Sequence, residues 1–410
     1  MNPRRYILAS VLLTVLAAPV GAFEWQIFLV DTGAKPALDI QPLDGFPHIA
    51  YMTEAMSGYV RHSEWNGASF DIIEVATGYF YGPLDIVIVG DSIPHIVYHD
   101  HQATTFDLAL GDQTHVFRPI DFWLHQPIAD DGHDGWDNSI ATFNEGVYSA
   151  SIDPAQFGST VGVEYWDGES VEAIGSGPVD YQFGTSIAMD AQGNPHISYF
   201  DFSVQFQKSE TLKYATKQNG VWDIETVDDQ PGAGRYPAIK IGPDGQPAIS
   251  YYVTDATSGI IRYAKLENGE WKTEEVDRID VVPSGSTGAR NLTSLDYDPS
   301  GKAVISYASF QEVNIAVKAE TGWAIQSVVA EPQPGNFIGG LTSLRVDTNG
   351  TAHIAYYEFD QLLVGGGGIP TGSVFYARGL ASNGLPVLIN LTDTTIDEGA
   401  VLSLGFEGSD

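Results

Sequence analysis

The sequence predicts an all-β chain built as a seven-bladed β-propeller of four-stranded antiparallel blades, and three observations predict it. A short strand motif returns seven times at intervals of 47 to 56 residues. Each copy lies within the same order of alternating strands, with Asn-Gly or Asp-Gly pairs where hairpins must turn. Almost nothing in the chain carries helical periodicity.

The motif is clearest in "NPHISYFD", Asn194 to Asp201. Its counterparts are "FPHIAYMTE" around His48, "IPHIVYHD" around His95, "QPAISYYVTD" around Ala248, "KAVISYASF" around Val304 and "TAHIAYYEFD" around His353. "GVYSASID" around Tyr148 is a degenerate copy, whose unit is still expected to form four strands. Before the motif comes an alternating strand ended by a turn, as in "SIAMDAQGN" and "SLRVDTNGT"; after it come "LKYATKQNG" or "IRYAKLENG", and an aromatic-led strand such as "VWDIETVDDQPG". A single blade leaves both sheet faces exposed, so the ring must close. The seventh unit lacks its aromatic-led strand, and "FEWQIFLVDTG", Phe23 to Gly33, supplies it, with Trp25 in the place of Trp222, Trp271 and Trp323. The propeller is therefore expected to span residues 23–379, closed by the N-terminal strand.

Composition narrows the function. Among 410 residues, 53 acids against 19 lysines and arginines give a formal net charge of -34, which repels nucleic acid and anionic lipid. Residues 1–22 carry Arg4 and Arg5, an apolar run and a small-residue ending, the pattern of a cleaved signal peptide. Export to the medium or the cell surface is expected, with no membrane insertion after cleavage and a monomeric product. There is no cysteine, so a large core must stabilise the fold without disulfides. Residues 380–410 read as a linker and the start of a different module, or a tail.

These repeats resemble exported bacterial propellers built from G-x-P-H-I-S-Y-x-D, L-x-Y-A and W-x-x-x-x-V-D strands. The resemblance implies architecture from Phe23 to about Gly379; the scaffold carries lectins, adhesins, hydrolases and docking modules alike. Sialidases share the shape but carry S-x-D-x-G-x-x-W boxes and an arginine triad, whereas the turns here are D-x-x-G, as in Asp190 to Gly193. The final "DTTIDEGAVLSL" looks like the opening of a cadherin-like or immunoglobulin-like module.

The repeating histidines are expected to be structural, because Ala248 and Val304 replace them in other units. Function is sought where the repeat breaks. Long insertions at Asp121 to Asn138, Asp201 to Glu210, Arg278 to Arg290 and Glu358 to Gly372 all fall on one face, leaving the other plain. The candidate ligand-binding groups there are His99, Asp100, His101, Trp123, Trp136, Asp201, Glu358 and Asp360. Asp130, Asp131, Asp134 and Asp137 form a candidate Ca²⁺ loop, though without EF-hand spacing. Trp65 and Trp166 precede hairpin turns on the plain face; they are either exposed recognition groups or caps over the neighbouring blade. The chain thus reads as a non-enzymatic binding or adhesion module for a glycan or an extracellular protein. The rival reading is a polysaccharide hydrolase or lyase using channel carboxylates and histidines.

Overall fold

The structure is a computed structural model. It describes residues 23–53, 58–101, 111–119, 122–128, 136–153, 162–176, 184–203, 209–254, 258–280, 293–309, 311–330, 332, 336–360 and 372–381. The described chain is all-β, and antiparallel four-stranded ladders account for it.

The first ladders share long strands. In β1 (Phe23–Ile40), Ala34 to Ile40 pair with β2 (Pro47–Met52), which pairs with β3 (Gly58–Trp65). β4 (Phe70–Val89) pairs first with β3 and then, from Tyr79 on, with β5 (Ile93–His101). That strand leads to β6 (Gly111–Phe117) and β7 (Leu124–Pro127). The degenerate unit forms β8 (Trp136–Phe143), β9 (Gly146–Asp153), β10 (Gly162–Trp166) and β11 (Val171–Ser176), a four-stranded sheet as the repeat predicts.

Regular sheets follow. One holds β12 (Thr185–Met189), β13 (Pro195–Ser203), β14 (Ser209–Gln218) and β15 (Val221–Asp228). The next holds β16 (Ala233–Ile241), β17 (Pro247–Thr254), β18 (Ser258–Glu267) and β19 (Glu270–Asp280). A third holds β20 (Thr293–Tyr297), β21 (Ala303–Ala308), β22 (Val313–Lys318) and β23 (Trp323–Val329). Finally β24 (Asn336–Val346), β25 (Ala352–Asp360) and β26 (Gly372–Ala381) receive Phe23 to Gly33 of β1 as their fourth strand. Strand β26 thus runs two residues past the predicted boundary at Gly379, because Glu24 and Phe23 pair with Leu380 and Ala381.

Local chemistry sets the turns. Asn219-Gly220 and Asn268-Gly269 have positive φ at both residues, the geometry of a two-residue hairpin whose twist matches its strands. In the D-x-x-G turn, Asp190 Oδ1 accepts the N–H groups of Gln192 and Asn194, both at 2.8 Å, while Gly193 turns through φ 81°.

The first strands are bound to one another by a relay. Ile140 N–H donates to Asp85 Oδ2 (3.0 Å), Ile187 N–H to Ser139 Oγ (3.2 Å) and Ile239 N–H to Ser186 Oγ (3.1 Å). Thr293 Oγ1 donates to the Tyr236 carbonyl, and Leu344 N–H donates to Ser294 Oγ. Leu38 N–H donates to Ser343 Oγ, and Ile88 N–H to Asp39 Oδ2. Apolar faces pack between sheets: Leu212, Tyr214 and Val227 of one meet Ile249, Tyr251 and Ile260 of the next.

The repeat's "V-D" aspartate staples neighbouring sheets. Asp228, ending β15, accepts Tyr251 Oη at 2.6 Å and Arg262 Nη1 at 2.7 Å from the following sheet. Asp31 does the same with Tyr51 and Arg61, and Asp277 with Tyr307. Burial raises the Tyr251 pKa, and the Asp228 charge beside it raises it further. Asp228→Ala strands the Tyr251 hydroxyl and leaves Arg262 only Gln230 Oε1 among the described residues, and is expected to cost about 3 kcal/mol in urea unfolding, against about 1 kcal/mol for Tyr251→Phe. Equal, negligible losses would deny the staple any role.

Candidate functional site

The repeating histidines resolve into one device. His48 Nδ1 lies 2.9 Å from His62 Nε2, and His95 Nδ1 lies 2.9 Å from His115 Nε2. His196 and His353 meet Tyr214 Oη and Tyr376 Oη at 2.6 and 2.7 Å. Each bond joins the second strand to the residue diagonally across on the third. Where the histidine is absent the same place holds a stacked Tyr148–Tyr165 pair, or Val304 near Ile315. Burial lowers the His48 pKa to about 4, the His95 pKa to about 3 and the His115 pKa to about 4. The repeat histidines are structural bridges, as the replacement pattern predicts, and burial keeps the His48, His95 and His115 imidazoles neutral.

The third-strand partner is then covered by an aromatic from the next sheet. Trp222 packs on Tyr165, Trp271 on Tyr214, Trp323 on Tyr263 and Phe70 on Tyr376, with centroids 5.0 to 5.7 Å apart. Such pairs contribute about 1 kcal/mol each beyond area burial. Trp123 occupies this place over His62, at 5.6 Å. Its position just before β7 was the available signal: it leads a fourth strand, like Trp222. Trp166 is 4% exposed and packs 5.2 Å from His115, so it caps the neighbouring sheet. Trp65 is partly buried between Phe28 and Phe70.

The remaining sequence candidates scatter. His99 is fully buried within its sheet, and Glu358 is 3% exposed and accepts Asn336 Nδ2 at 3.4 Å. Asp100 packs its Oδ1 over Gly78. Asp201 sits 3.9 Å from Lys213; burial raises its pKa and the lysine opposes the rise. Asp137 is buried, and its Oδ2 accepts the Gly184 N–H at 3.0 Å. Asp130, Asp131 and Asp134 lie outside the described residues, as do the side chains of His101, Trp136 and Asp360. Among the described residues no three metal-binding side chains gather.

What the structure does bring together is a cavity of about 160 Å³, bordered by strands β1, β4, β8, β12, β16, β20 and β24. Of the sequence candidates among the described residues, only Asp137 borders it. At its start the backbone bulges through left-handed residues, Lys35, Asp137 and Tyr236 among them, at φ 51° to 52°. Lys35 Nζ donates there to the Gly82 carbonyl at 3.0 Å. At the other end stand Asp85, Lys240 and Arg345, with Asp39 and Asp296 beside them. Arg345 Nε donates to Asp39 Oδ1 at 2.8 Å. Sequence reading missed these because each is one charged residue in an alternating strand; "ALDI", "AIKI", "SLDY" and "SLRV", aligned, hold Asp39, Lys240, Asp296 and Arg345 at one position, and Asp85 falls two places earlier in its strand.

No protein-family model matches the chain, and no curated protein sequence matches it. Among solved structures it is similar to a protein of unknown function from Dyadobacter fermentans, at 10% identity and TM-score 0.49 over 85% of this chain and 98% of that one. AofleA from Arthrobotrys oligospora is 14% identical, TM-score 0.48, over 76% of this chain and 91% of its own. A GH93 α-L-arabinofuranosidase of Fusarium graminearum is 13% identical, TM-score 0.47, over 71% and 91%. At identities and scores this low the likenesses carry no argument; the chain's own ladders define its architecture.

Proposed function

We propose that the chain is a seven-bladed β-propeller closed through its N-terminal strand, exported by its leader, and working as a monomeric binding or adhesion module for a glycan or an extracellular protein. The hydrogen-bond relay among the first strands and the pairing of β1 with β26 support the closed ring. One observation carries the functional reading: the residues that look chemical are spent on architecture. The repeat's histidines, tryptophans and aspartates bridge strands or sheets. The acids at the charged end of the cavity accept backbone N–H groups: Asp39 from Ile88, Asp85 from Ile140 and Asp296 from Val346. A general acid or nucleophile needs a carboxylate turned to substrate. A rigid scaffold with one plain and one elaborated face is instead suited to recognition by its loops.

Glycan-array screening of the purified chain, run beside reducing-end assays on the polysaccharides it binds, tests the proposal. Saturable binding without release of reducing ends is expected. Release at a rate proportional to protein would replace this reading with the hydrolase or lyase.

A further inference from the structure

We propose that the charged end of the cavity is a binding site for a carboxylate, held between the Lys240 ammonium and the Arg345 Nη2 amino group. The inference stands on the cavity alone and goes beyond the binding function proposed for the loops.

Both cations border the same space. Arg345 is fixed on one side, with Nε on Asp39 Oδ1 at 2.8 Å and Nη1 on the Leu344 carbonyl at 2.9 Å. Its Nη2 keeps a donor pair to spare. Lys240 forms neither a hydrogen bond nor an ion pair among the described residues, although it is only partly exposed. The other polar groups of the lining are committed. Ser186, Ser294 and Ser343 accept backbone N–H groups, and Thr293 donates to the Tyr236 carbonyl.

Two like charges therefore border one confined space, Arg345 paired with Asp39 and Lys240 with no ion pair of its own among the described residues. Arg345 is the largest influence lowering the Lys240 pKa and burial the next, against the opposing pull of Asp296, Asp39 and Asp85. Those carboxylates would repel an anion, but they are turned to the backbone. Asp85 accepts the N–H groups of Ile86 and Ile140, and Asp296 those of Tyr297 and Val346. Asp39 is held by Ile88 N–H and Arg345.

The shape suits an ion with a carbon skeleton. Beside the two cations the cavity is lined by apolar groups, Pro36, Leu84, Ile140, Leu295 and Leu341 among them. The cavity of about 160 Å³ is many times the roughly 10–15 Å³ that one water requires. A planar carboxylate matches a guanidinium edge and an ammonium better than a halide does. It could arrive as a free small acid or as a uronic acid carried by a glycan.

The test is thermal unfolding of the full chain at constant ionic strength with sodium acetate, sodium glucuronate, an oligouronide, sodium chloride and glucose. A saturable rise of a few degrees in Tm with a carboxylate, and none with chloride or glucose, is expected. Lys240→Gln should abolish the rise and Lys240→Arg should retain it. A response to acetate and glucuronate assigns a free acid; a response to the oligouronide alone assigns a glycan-borne one. Should Lys240→Gln not fold, amine acylation of the wild-type chain read by mass spectrometry serves instead, with glucuronate or oligouronide slowing modification at Lys240 at least several-fold. No rise with any carboxylate, a rise shared by chloride, or a rise surviving Lys240→Gln overturns the proposal, as does unchanged acylation.

Discussion

A chain lacking Phe23 to Gly33 is expected to lose its cooperative unfolding transition and to aggregate. That segment does three things at once. It pairs with the whole of β26, so its removal leaves a free sheet edge. It also ties two sheets together at β23: Phe23 N–H donates to Gln326 Oε1 and Gln326 Nε2 donates back to the Phe23 carbonyl, both at 2.7 Å. Finally it carries Asp31, the acceptor for Tyr51 and Arg61. Trp25 lies so close over Gly379 that a β-carbon there would stand 2.7 Å from the ring. The loop so closed spans nearly the whole chain, but its entropic cost grows only logarithmically with length. Asp31→Ala alone should cost about 3 kcal/mol and leave a folded monomer. A deletion variant with unchanged Tm and elution volume would show that the fold does not depend on this strand.

The second large effect is acid sensitivity. His48, His95 and His115 have folded pKa values of about 4, 3 and 4, below the ordinary 6.5, because burial disfavours the imidazolium. The unfolded chain thus binds more protons than the folded one between those values and 6.5. Stability is full above pH 6.5 and falls as pH drops towards 4, by about 3 kcal/mol for His48 alone. His62, buried against His48, shifts the same way. Against a usual total of about 5–15 kcal/mol, such losses should unfold the protein near pH 4 to 5. Asp347, lowered to about 2, weakens the fold only below its ordinary 3.8; burial would raise it, but hydrogen bonds from His353 and nearby backbone outweigh that. Replacing His48 by Val and His62 by Ile, after the buried Val304 and Ile315, should flatten the Tm-against-pH curve between 6.5 and 4. An unaltered acid limb in that double variant would place the proton uptake elsewhere.

The repeat was legible because its spacing, alternation and turn chemistry are local properties. Asn219-Gly220 fixes a hairpin wherever it occurs, and the strand that follows inherits its register. Even the degenerate unit around Tyr148 was legible from "GVYSASID" at the repeat spacing, while the stacked tyrosine pair that fills the histidine's place emerged only in the structure. The replacement of His48 by Ala248 and Val304 elsewhere marked it as structural before any partner was known.

Sequence by itself therefore determined the all-β class, the four-stranded unit and the pairing of Phe23 to Gly33 with the last strands. Only the tertiary structure decided which residues meet across units. Asp85, Lys240 and Arg345 come from three different first strands and become neighbours because those strands border one cavity. The same holds for Trp123 and Trp166, whose partners, His62 and His115, belong to the preceding sheet. Spacing along the chain encodes backbone periodicity. The juxtaposition of side chains dozens or hundreds of residues apart is set by how sheets pack, and no local pattern records it.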